Sequence, residues 1–535
     1  MVALLAVLDL LIVDARVIDG TGAPWFRADV GVQGDRIVQV GKLGDVPATR
    51  RIDAHGRMLA PGFIDMLGQS ELYGLVDPRV ESKVRQGITT EITGEGESAA
   101  PVTPAILAEA RPWLDKYKLT VDWNDIAGFL RRWHATINLG TFVGAASLRE
   151  AVLGYGEVQP IPEQLQQMEK LCAQAMEQGA FGVSSALIYA PASYARTPEL
   201  IALAKVAARY GGVYATHIRG EADTLAQGLD EAIEIGREAQ IPVEIWHLKA
   251  AGRNNWGRMK EVVARIEKAR ALGVDVSANM YPYTAAGNGL AAQLPGWALA
   301  GGTEASLARL RDPAQRAKIV KDPWFWHGGL GAETPDGILI AFVLDPKLQR
   351  YVGKRISEIA AKEKKSPEEA IVDLLIADRM QTGVVRFVMS EDDVQLGLRQ
   401  PWVSLGTDNP GFSPDGPFAD VSLHPRGWGS APRLLGHYAR DLKLFPLEEA
   451  VRKMTSLPAR RMRLFDRGLV RPGMAADLVL FDPAAVRDLA TYEQPRQFAA
   501  GVDTVVINGK VVIDEGKLTA ERPGRALRRQ LDTAR

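Results

Sequence analysis

The central part of the chain alternates amphipathic helices with short apolar strands, and this pattern limits the available folds more than any other feature. A helix is predicted from Glu163 to Gln178, where apolar side chains recur on one face, and the strand 181–183 follows it. Two similar units follow, in which predicted helices lead to the strands 243–246 and 274–276. Repeated alternation of this kind indicates a parallel sheet with right-handed crossovers. With 535 residues available, a closed α/β barrel of the TIM type is favoured over an open sheet.

Both ends of the chain have a different texture, made of short β-rich runs separated by turn signals. Such runs fill residues 8–56 and return only at 476–481 and 504–512, where the pair Asn508-Gly509 predicts a tight hairpin. We therefore expect residues 1–59 and 466–535 to form one small β-sandwich domain and residues 60–465 to form the barrel. The alternation fails between residues 285 and 345, which predicts an insertion over the barrel mouth.

Composition excludes several classes of function. Lys and Arg number 64 against 65 Asp and Glu, so neither nucleic acid nor an anionic membrane surface is expected as a partner. Cys172 is the only cysteine, which rules out an internal disulfide, a cysteine-rich zinc site and an iron–sulfur cluster. The apolar N-terminal run is too short to span a membrane. The compartment stays open between the cytoplasm and export after removal of a signal peptide.

Two histidines end strands of consecutive units, about thirty residues apart. Active sites of barrels lie at the carboxyl ends of the strands, so His217 and His247 are expected to face one another at the barrel mouth. Neutral imidazole is a common metal ligand, and a carboxylate from Glu95 or Glu97 would complete a His-His-Glu set. Asp408, which follows a late strand, could then transfer the proton. The alternative is that both histidines merely form hydrogen bonds within loops.

Several segments resemble a known family. They are 60–65 (Ala-Pro-Gly-Phe-Ile-Asp), 87–90, 182–189, 214–219, 247–252, 281–284, 406–408, 424–426, 453–459 and 473–483. On these segments the chain resembles the amidohydrolase superfamily, and most of all its N-acyl-D-amino-acid deacylase (D-aminoacylase) branch. The resemblance covers nearly the whole chain.

The resemblance implies a TIM-type barrel, a small β-sandwich built from both termini, and metal-assisted hydrolysis of an amide. His217 and His247 fall where the family has two metal ligands, and Asp408 falls at its catalytic acid/base. Lys249 and Tyr283 fall where the deacylases are expected to hold the substrate carboxylate. The further candidates for substrate binding are Arg219, Tyr189, His424 and Arg426. The pair His424 and Arg426 could equally cap the helix that follows.

Two departures from the family pattern concern the metal site. Leu67 and Gln69 stand where the family has a His-x-His pair, and Leu67 cannot bind a metal. The family's Gly-Asn-Cys-Gly turn reads Gly94-Glu95-Gly96-Glu97, so its cysteine ligand is lost. We therefore predict one Zn²⁺ per chain, held by Glu95, His217 and His247. Glu95 is favoured because Gly96 mirrors the glycine after the lost cysteine, and Glu97 is the alternative ligand.

Two functional hypotheses follow. The first is a zinc-dependent hydrolase of an N-acyl amino acid or a related small carboxylated amide. The second is a metal-free pseudoenzyme that uses the barrel mouth to bind a small molecule. A homo-oligomer is expected in either case, because large barrels of this kind commonly assemble. The acyl group and the stereochemistry of the substrate do not follow from the sequence.

Overall fold

The computed structural model describes residues 7–327, 334–421 and 424–529. Within these residues, eight parallel strands form a closed barrel. The strands are Phe63–Asp65, Ile88–Thr93, Asn138–Thr141 with its continuation Val143–Gly144, Gly182–Ala186, Val213–His217, Val243–Ile245, Val276–Met280 and Val403–Leu405. The last strand meets the first where the backbone nitrogen of Met66 donates to the carbonyl of Leu405 at 3.0 Å. The expected α/β barrel is therefore confirmed.

The helices surround the barrel and its insertion. Their bounds are Tyr73–Val76, Glu81–Val84, Pro104–Tyr117, Ile126–Arg132, Ala145–Leu153, Pro162–Glu177, Thr197–Arg209, Leu225–Ala239, Met259–Ala271, Gly296–Leu299, Gly302–Arg311, Pro313–Ile319, Trp324–His327, Ile356–Glu363, Pro367–Ala377, Glu391–Leu398, Arg426–Arg433, the π-helical turn Leu434–Asp441, Leu447–Met454 and Ser456–Arg461. Pro162–Glu177 illustrates how they form: proline occupies the first position, where no backbone donor is needed, and Met168 and Cys172 are among its buried residues. The helix lies within one residue of its predicted bounds.

The two ends of the chain form one β-sheet domain. Its strands are Leu8–Val17, Phe26–Gln33, Arg36–Gly41, Ala48–Asp53, Met58–Pro61, Leu478–Phe481, Val502–Ile507, Lys510–Asp514 and Lys517–Leu518. Leu478–Phe481 pairs antiparallel with Met58–Pro61 and so joins the two ends. The predicted hairpin is present, with φ of 48° at Asn508 and 79° at Gly509. Alternate strand residues such as Ile12 and Leu478 pack into one apolar cluster.

A smaller antiparallel sheet is inserted between the seventh and eighth barrel strands. Its strands are Ala286–Gly289, Ile338–Phe342 and Gly383–Arg386. Residues of all three strands line a cavity of about 400 Å³ that also contains His217 and His247. The inserted sheet therefore forms part of the wall around the carboxyl ends of the barrel strands. Within the described ranges, no helix combines the length and apolar character needed to cross a bilayer.

Candidate metal centre and active site

Glu95, His217 and His247 converge at the barrel mouth. Oε1 of Glu95 lies 2.8 Å from Nε2 of His247 and 3.2 Å from Nδ1 of His217. One ligand atom from each residue lies within 4.8 Å of the other two, and among the described residues no other set of His, Cys, Asp or Glu side chains meets this condition. Both histidines are buried. The three side chains therefore offer two nitrogens and one oxygen to a single point.

The backbone fixes the direction of each of these side chains. His217 is the last residue of its strand, and His247 follows Val243–Ile245 with a φ of 34°. The backbone nitrogen of His247 donates to Oδ1 of Asn279 at 3.0 Å, which holds this unusual conformation. Glu95 follows Gly94, where φ is 91° and an added Cβ would lie 2.7 Å from the carbonyl oxygen of Phe142. Only glycine fits at that turn, and the turn directs Glu95 toward the histidines.

Glu97 lies apart from this group. Its side chain lines two neighbouring cavities and not the cavity that contains the histidines. The structure therefore brings Glu95 to the two histidines, and it does not bring the alternative candidate Glu97 there.

Glu221 contacts both histidines at the ring nitrogens that do not face Glu95. The sequence analysis did not predict this residue. Its carboxylate lies 3.2 Å from Nδ1 of His247 and 3.5 Å from Nε2 of His217. Nζ of Lys249 lies 2.5 Å from the same carboxylate and 2.7 Å from Nδ1 of His247. Carboxylates that contact metal-binding histidines orient the rings. The position of Glu221, four residues past the end of a strand, carries no pattern that would have identified it.

The buried charges shift one another's pKa values. Burial lowers the pKa of His217, with Glu221 opposing this effect. For His247, burial and Lys249 lower the pKa, but Glu95 and Glu221 outweigh them and raise it to about 9. Burial raises the pKa of Glu95, yet the two histidines more than compensate and hold it well below its usual value. The cluster thus favours an ionised Glu95, which is the form that binds a metal ion.

Asp408 lies in the same cavity, beyond the strand Val403–Leu405. Its φ is 48°, and its backbone nitrogen donates to the carbonyl of Leu67 at 2.7 Å. Oδ2 lies 2.8 Å from Nη1 of Arg426, and Oδ1 accepts a 3.3 Å hydrogen bond from Gln69. Burial raises the pKa of Asp408, although Arg426 acts in the opposite direction. This carboxylate is therefore fixed at both oxygens within reach of the cavity.

Four of the expected substrate-binding side chains line the cavity, and Tyr281 joins them. The four are Tyr189, Lys249, His424 and Arg426. The guanidinium carbon of Arg426 lies 4.6 Å from the centre of the Tyr281 ring. Among the described residues, Nε of Arg426 and Oη of Tyr281 are buried without a hydrogen-bond partner. His424 also caps the following helix, since its Nδ1 accepts from the backbone nitrogen of Arg426 at 3.0 Å.

Two other expected residues do not reach this cavity. Arg219 donates to Glu231 at 2.8 and 2.9 Å and to the carbonyls of Ser193 and Ala195, and it lines a separate cavity. The hydroxyl of Tyr283 points toward Asp488, at 3.4 Å, and is absent from the cavity wall. The expectation that these two side chains contact the substrate is therefore not met by this geometry. In both cases a partly buried carboxylate contacts the polar end of the side chain outside this cavity.

The chain is similar to known hydrolases over nearly its whole length. The sequence model of the Amidohydrolase family matches residues 350–513. The chain is 37% identical to D-aminoacylase of Alcaligenes xylosoxydans xylosoxydans, over 97% of this chain and 98% of that protein. It is 36% identical to the N-acyl-D-glutamate deacylase of the same organism, over 98% of each chain.

Solved structures agree with these relatives. The N-acyl-D-glutamate deacylase of Bordetella bronchiseptica, solved with zinc and a phosphonate mimic of the tetrahedral intermediate, superimposes with a TM-score of 0.82 at 34% identity, over 98% of this chain and 100% of that chain. A D-aminoacylase described as having a binuclear metal centre superimposes with a TM-score of 0.81 at 36% identity and the same coverage. The likeness thus extends over both the barrel and the terminal sheet.

Proposed function

Because the chain belongs to the amidohydrolase superfamily and to its D-aminoacylase branch, we propose that it hydrolyses N-acyl-D-amino acids or closely related carboxylated amides with one zinc ion. The observation that carries this proposal is the convergence of Glu95, His217 and His247 in a cavity that also contains Asp408. Two relatives in this branch are named N-acyl-D-glutamate deacylase and N-acyl-D-aspartate deacylase.

The donor set suits zinc. Two imidazoles and one carboxylate, with a position left for water, are a common catalytic zinc set. Nδ1 of His217 and Nε2 of His247 both face Oε1 of Glu95, so each ring presents one nitrogen to the same point in the cavity wall. Zinc bound there would polarise the scissile carbonyl and acidify the attacking water. Leu67 and Gln69 supply no second set of ligands, which supports one ion rather than two.

Asp408 is the proton carrier in this proposal. It accepts a proton from the attacking water and delivers it to the leaving nitrogen. Arg426 and Gln69 hold its two oxygens, so the carboxylate does not rotate away during the transfer. The raised pKa of Asp408 favours proton uptake.

The substrate carboxylate is proposed to bind Arg426 and Tyr281. Both have buried donors without partners in the described residues, and burying such donors is costly unless a ligand satisfies them. Lys249 is the second cation of this wall, although Glu221 already engages it. Tyr189 and His424 shape the remaining wall.

The homo-oligomer remains a prediction.

We also propose the domain limits stated from the sequence: a small β-sandwich of residues 1–59 and 466–535, a barrel of 60–465, and an insertion of 285–345 over the active site. The pairing of Met58–Pro61 with Leu478–Phe481 supports the first limit. The contribution of Ala286–Gly289 to the cavity wall supports the start of the insertion, whereas Gly383–Arg386 extends the inserted sheet beyond the proposed end at residue 345.

A metal-free binding protein is the second candidate, and one observation favours it. This observation is Leu67, an apolar side chain that stands where the family has a metal-binding histidine. A protein of this kind would bind N-acyl amino acids but would neither retain zinc nor hydrolyse them.

The decisive experiment measures zinc content and hydrolysis together. Purified protein is analysed for zinc per chain and assayed with the D- and L-forms of N-acetyl-methionine, N-acetyl-glutamate and N-acetyl-aspartate. We expect about one zinc per chain and hydrolysis of D-substrates. The variant His217→Ala should lose both, whereas the control His134→Ala, which alters an exposed histidine, should lose neither. Wild-type protein that binds no supplied zinc and hydrolyses none of these amides would overturn the proposal.

A further inference from the structure

Two more cavities adjoin the active-site cavity, and Arg426 lines neither of them. The nearer one, of about 420 Å³, shares Gln69, Glu95 and Tyr189 with the active-site cavity. The farther one, of about 430 Å³, shares Glu97 and Tyr189 with the nearer one. Both cavities share wall residues with the active-site cavity, and together they make up the space beside the proposed zinc ligand Glu95. We call this space the acidic chamber and define it by Glu71, Glu97, Glu109 and Glu150.

The chamber is lined by acidic side chains and by no basic ones within the described residues. None of the described residues that line its two cavities is Lys, Arg or His. Glu71 accepts hydrogen bonds only from hydroxyl groups, those of Thr93 and Thr141. Glu109 accepts from the backbone nitrogen of Thr303 at 3.2 Å. The four carboxylates therefore meet no cation of the protein inside the chamber.

Glu150 is the most informative of the four. Only 6% of it is exposed, and its carboxylate has no hydrogen bond or ion pair within the described part of the chain. It lines the farther cavity, so the unpartnered group faces the empty space. Burial, reinforced by Glu97 and Glu109, raises the pKa of Glu150 well above its usual value. A buried acid without a partner is costly to the folded state and is typical of groups that await a ligand.

These observations point to a particular ligand chemistry. We infer that the acidic chamber binds a protonated amine or a guanidinium group of the substrate, an inference that rests on the proposed function. Such a group would give the buried Glu150 an opposite charge, and attraction between charges is stronger at a buried site than in bulk water. Trp113 and Tyr73 line the nearer cavity and offer aromatic surface to a cation.

An organic cation fits the chamber better than a metal ion does. A metal site needs several ligand atoms around one point, and in the described residues only Glu95, His217 and His247 bring three such atoms within 4.8 Å. The carboxylates of the chamber are instead distributed along the space. This spread suits a chain that passes from the zinc site into the chamber and ends in a charged group.

The cationic residue Arg426 and the acidic chamber belong to different cavities. Arg426 and Tyr281 line the active-site cavity but neither cavity of the chamber. The preferred substrate would therefore be zwitterionic, with its carboxylate at Arg426 and its cation near Glu150. The cation could belong to the side chain of a basic D-amino acid or to an amino-substituted acyl group.

The test compares matched cationic and neutral ligands. The first pair is N-acetyl-D-lysine and N-acetyl-D-norleucine, and the second is N-(6-aminohexanoyl)-D-alanine and N-heptanoyl-D-alanine. Hydrolysis is measured on the wild-type enzyme, and binding is measured by calorimetry on zinc-loaded Asp408→Asn protein, in which turnover is suppressed. We expect the cationic member of at least one pair to be preferred by about tenfold or more, which corresponds to about 1.4 kcal/mol. The pair that shows the preference identifies which end of the substrate enters the chamber.

Variants then assign the preference to the chamber. Glu150→Gln should reduce the ratio of cationic to neutral binding by at least about fivefold. Glu234→Gln, on the exposed face of the helix Leu225–Ala239, is the control and should keep the ratio. Thermal unfolding verifies that each variant is folded, and Glu71→Gln replaces Glu150→Gln if the latter is not.

The outcomes separate this inference from the proposed function. Equal binding of cationic and neutral ligands, or an unchanged ratio in the folded chamber variant, overturns the inference even if hydrolysis is observed. A cationic preference that depends on Glu150 supports the inference even if no amide is hydrolysed, in which case only the proposed function fails.

Discussion

The side-chain amide of Gln69 donates a 2.6 Å hydrogen bond to Oε2 of Glu95. The other oxygen of this carboxylate, Oε1, faces the two histidines. Gln69 therefore leaves one oxygen of Glu95 for a metal ion and holds the second. The same amide reaches Oδ1 of Asp408 at 3.3 Å, so one residue links the proposed metal ligand to the proposed proton carrier. Gln69 therefore does not bind zinc as a histidine at this position would. It orients Glu95, which is a proposed zinc ligand.

Replacing Gln69 with alanine should weaken zinc binding. The carboxylate of Glu95 would lose the donor that fixes it, and removal of groups that orient metal ligands typically lowers metal affinity about 10- to 100-fold. Competition titration with a chelator measures this affinity. Gln166→Ala, at an exposed helical position, is the matched control. An unchanged zinc affinity in Gln69→Ala would refute the orienting role.

Replacing Asp408 with asparagine should lower kcat while zinc stays bound. Asparagine tolerates the left-handed backbone conformation that Asp408 adopts, so the loop should be retained. The amide cannot accept the proton, and loss of a general acid–base group typically lowers the rate about 100- to 10,000-fold. Steady-state kinetics with the best D-substrate, together with zinc analysis, checks this. A variant with normal kcat would show that another group carries the proton.

The sequence predicted the features that depend on strand ends. His217 and His247 come together because they follow adjacent parallel strands, and Glu95 reaches them because its turn follows the second barrel strand, which ends at the same mouth of the barrel. Glu221 was not predicted, since it lies in a loop where no periodicity relates a side chain to the barrel axis. The same limit explains why Arg219 was expected at the substrate but lies elsewhere, because its ion pair with Glu231 sets the direction of its side chain. Strand patterns locate the barrel mouth, but tertiary contacts decide which loop side chains face it.

Gly68→Ala should destabilise the protein. An added Cβ would lie 1.7 Å from Oε1 of Glu91, which is buried and accepts hydrogen bonds from the backbone and hydroxyl of Ser70. Displacing Glu91 disturbs this buried polar contact, and overpacking of a core typically costs about 1–3 kcal/mol. Thermal unfolding should show a clearly lower Tm. Gly156→Ala is the control, because its added Cβ would meet only Val158 at 3.7 Å; equal Tm changes in both variants would contradict the steric argument.

Lys453 should make stability increase with pH above neutrality. Its side chain is 1% exposed, and its Nζ donates to the carbonyls of Gln400 and Val403. Burial lowers its pKa from 10.5 to about 7, while Glu449 opposes this effect. Between these pH values the unfolded chain binds more protons at this position than the folded chain, so the free energy of unfolding rises with pH, by at most about 1.4 kcal/mol per pH unit.

Comparison with Lys453→Met isolates this contribution, because the other titrating groups are shared by both proteins. The variant loses two hydrogen bonds at every pH, which gives a constant offset. The Tm of the wild type minus that of Lys453→Met should therefore be larger at pH 9.5 than at pH 7. The same difference measured with Lys260→Met, which alters an exposed lysine, should not change with pH. Parallel profiles of Tm against pH for the wild type and Lys453→Met would contradict this prediction. They would mean that Lys453 has the same pKa in the folded and the unfolded chain, so that its burial does not disfavour the charged form.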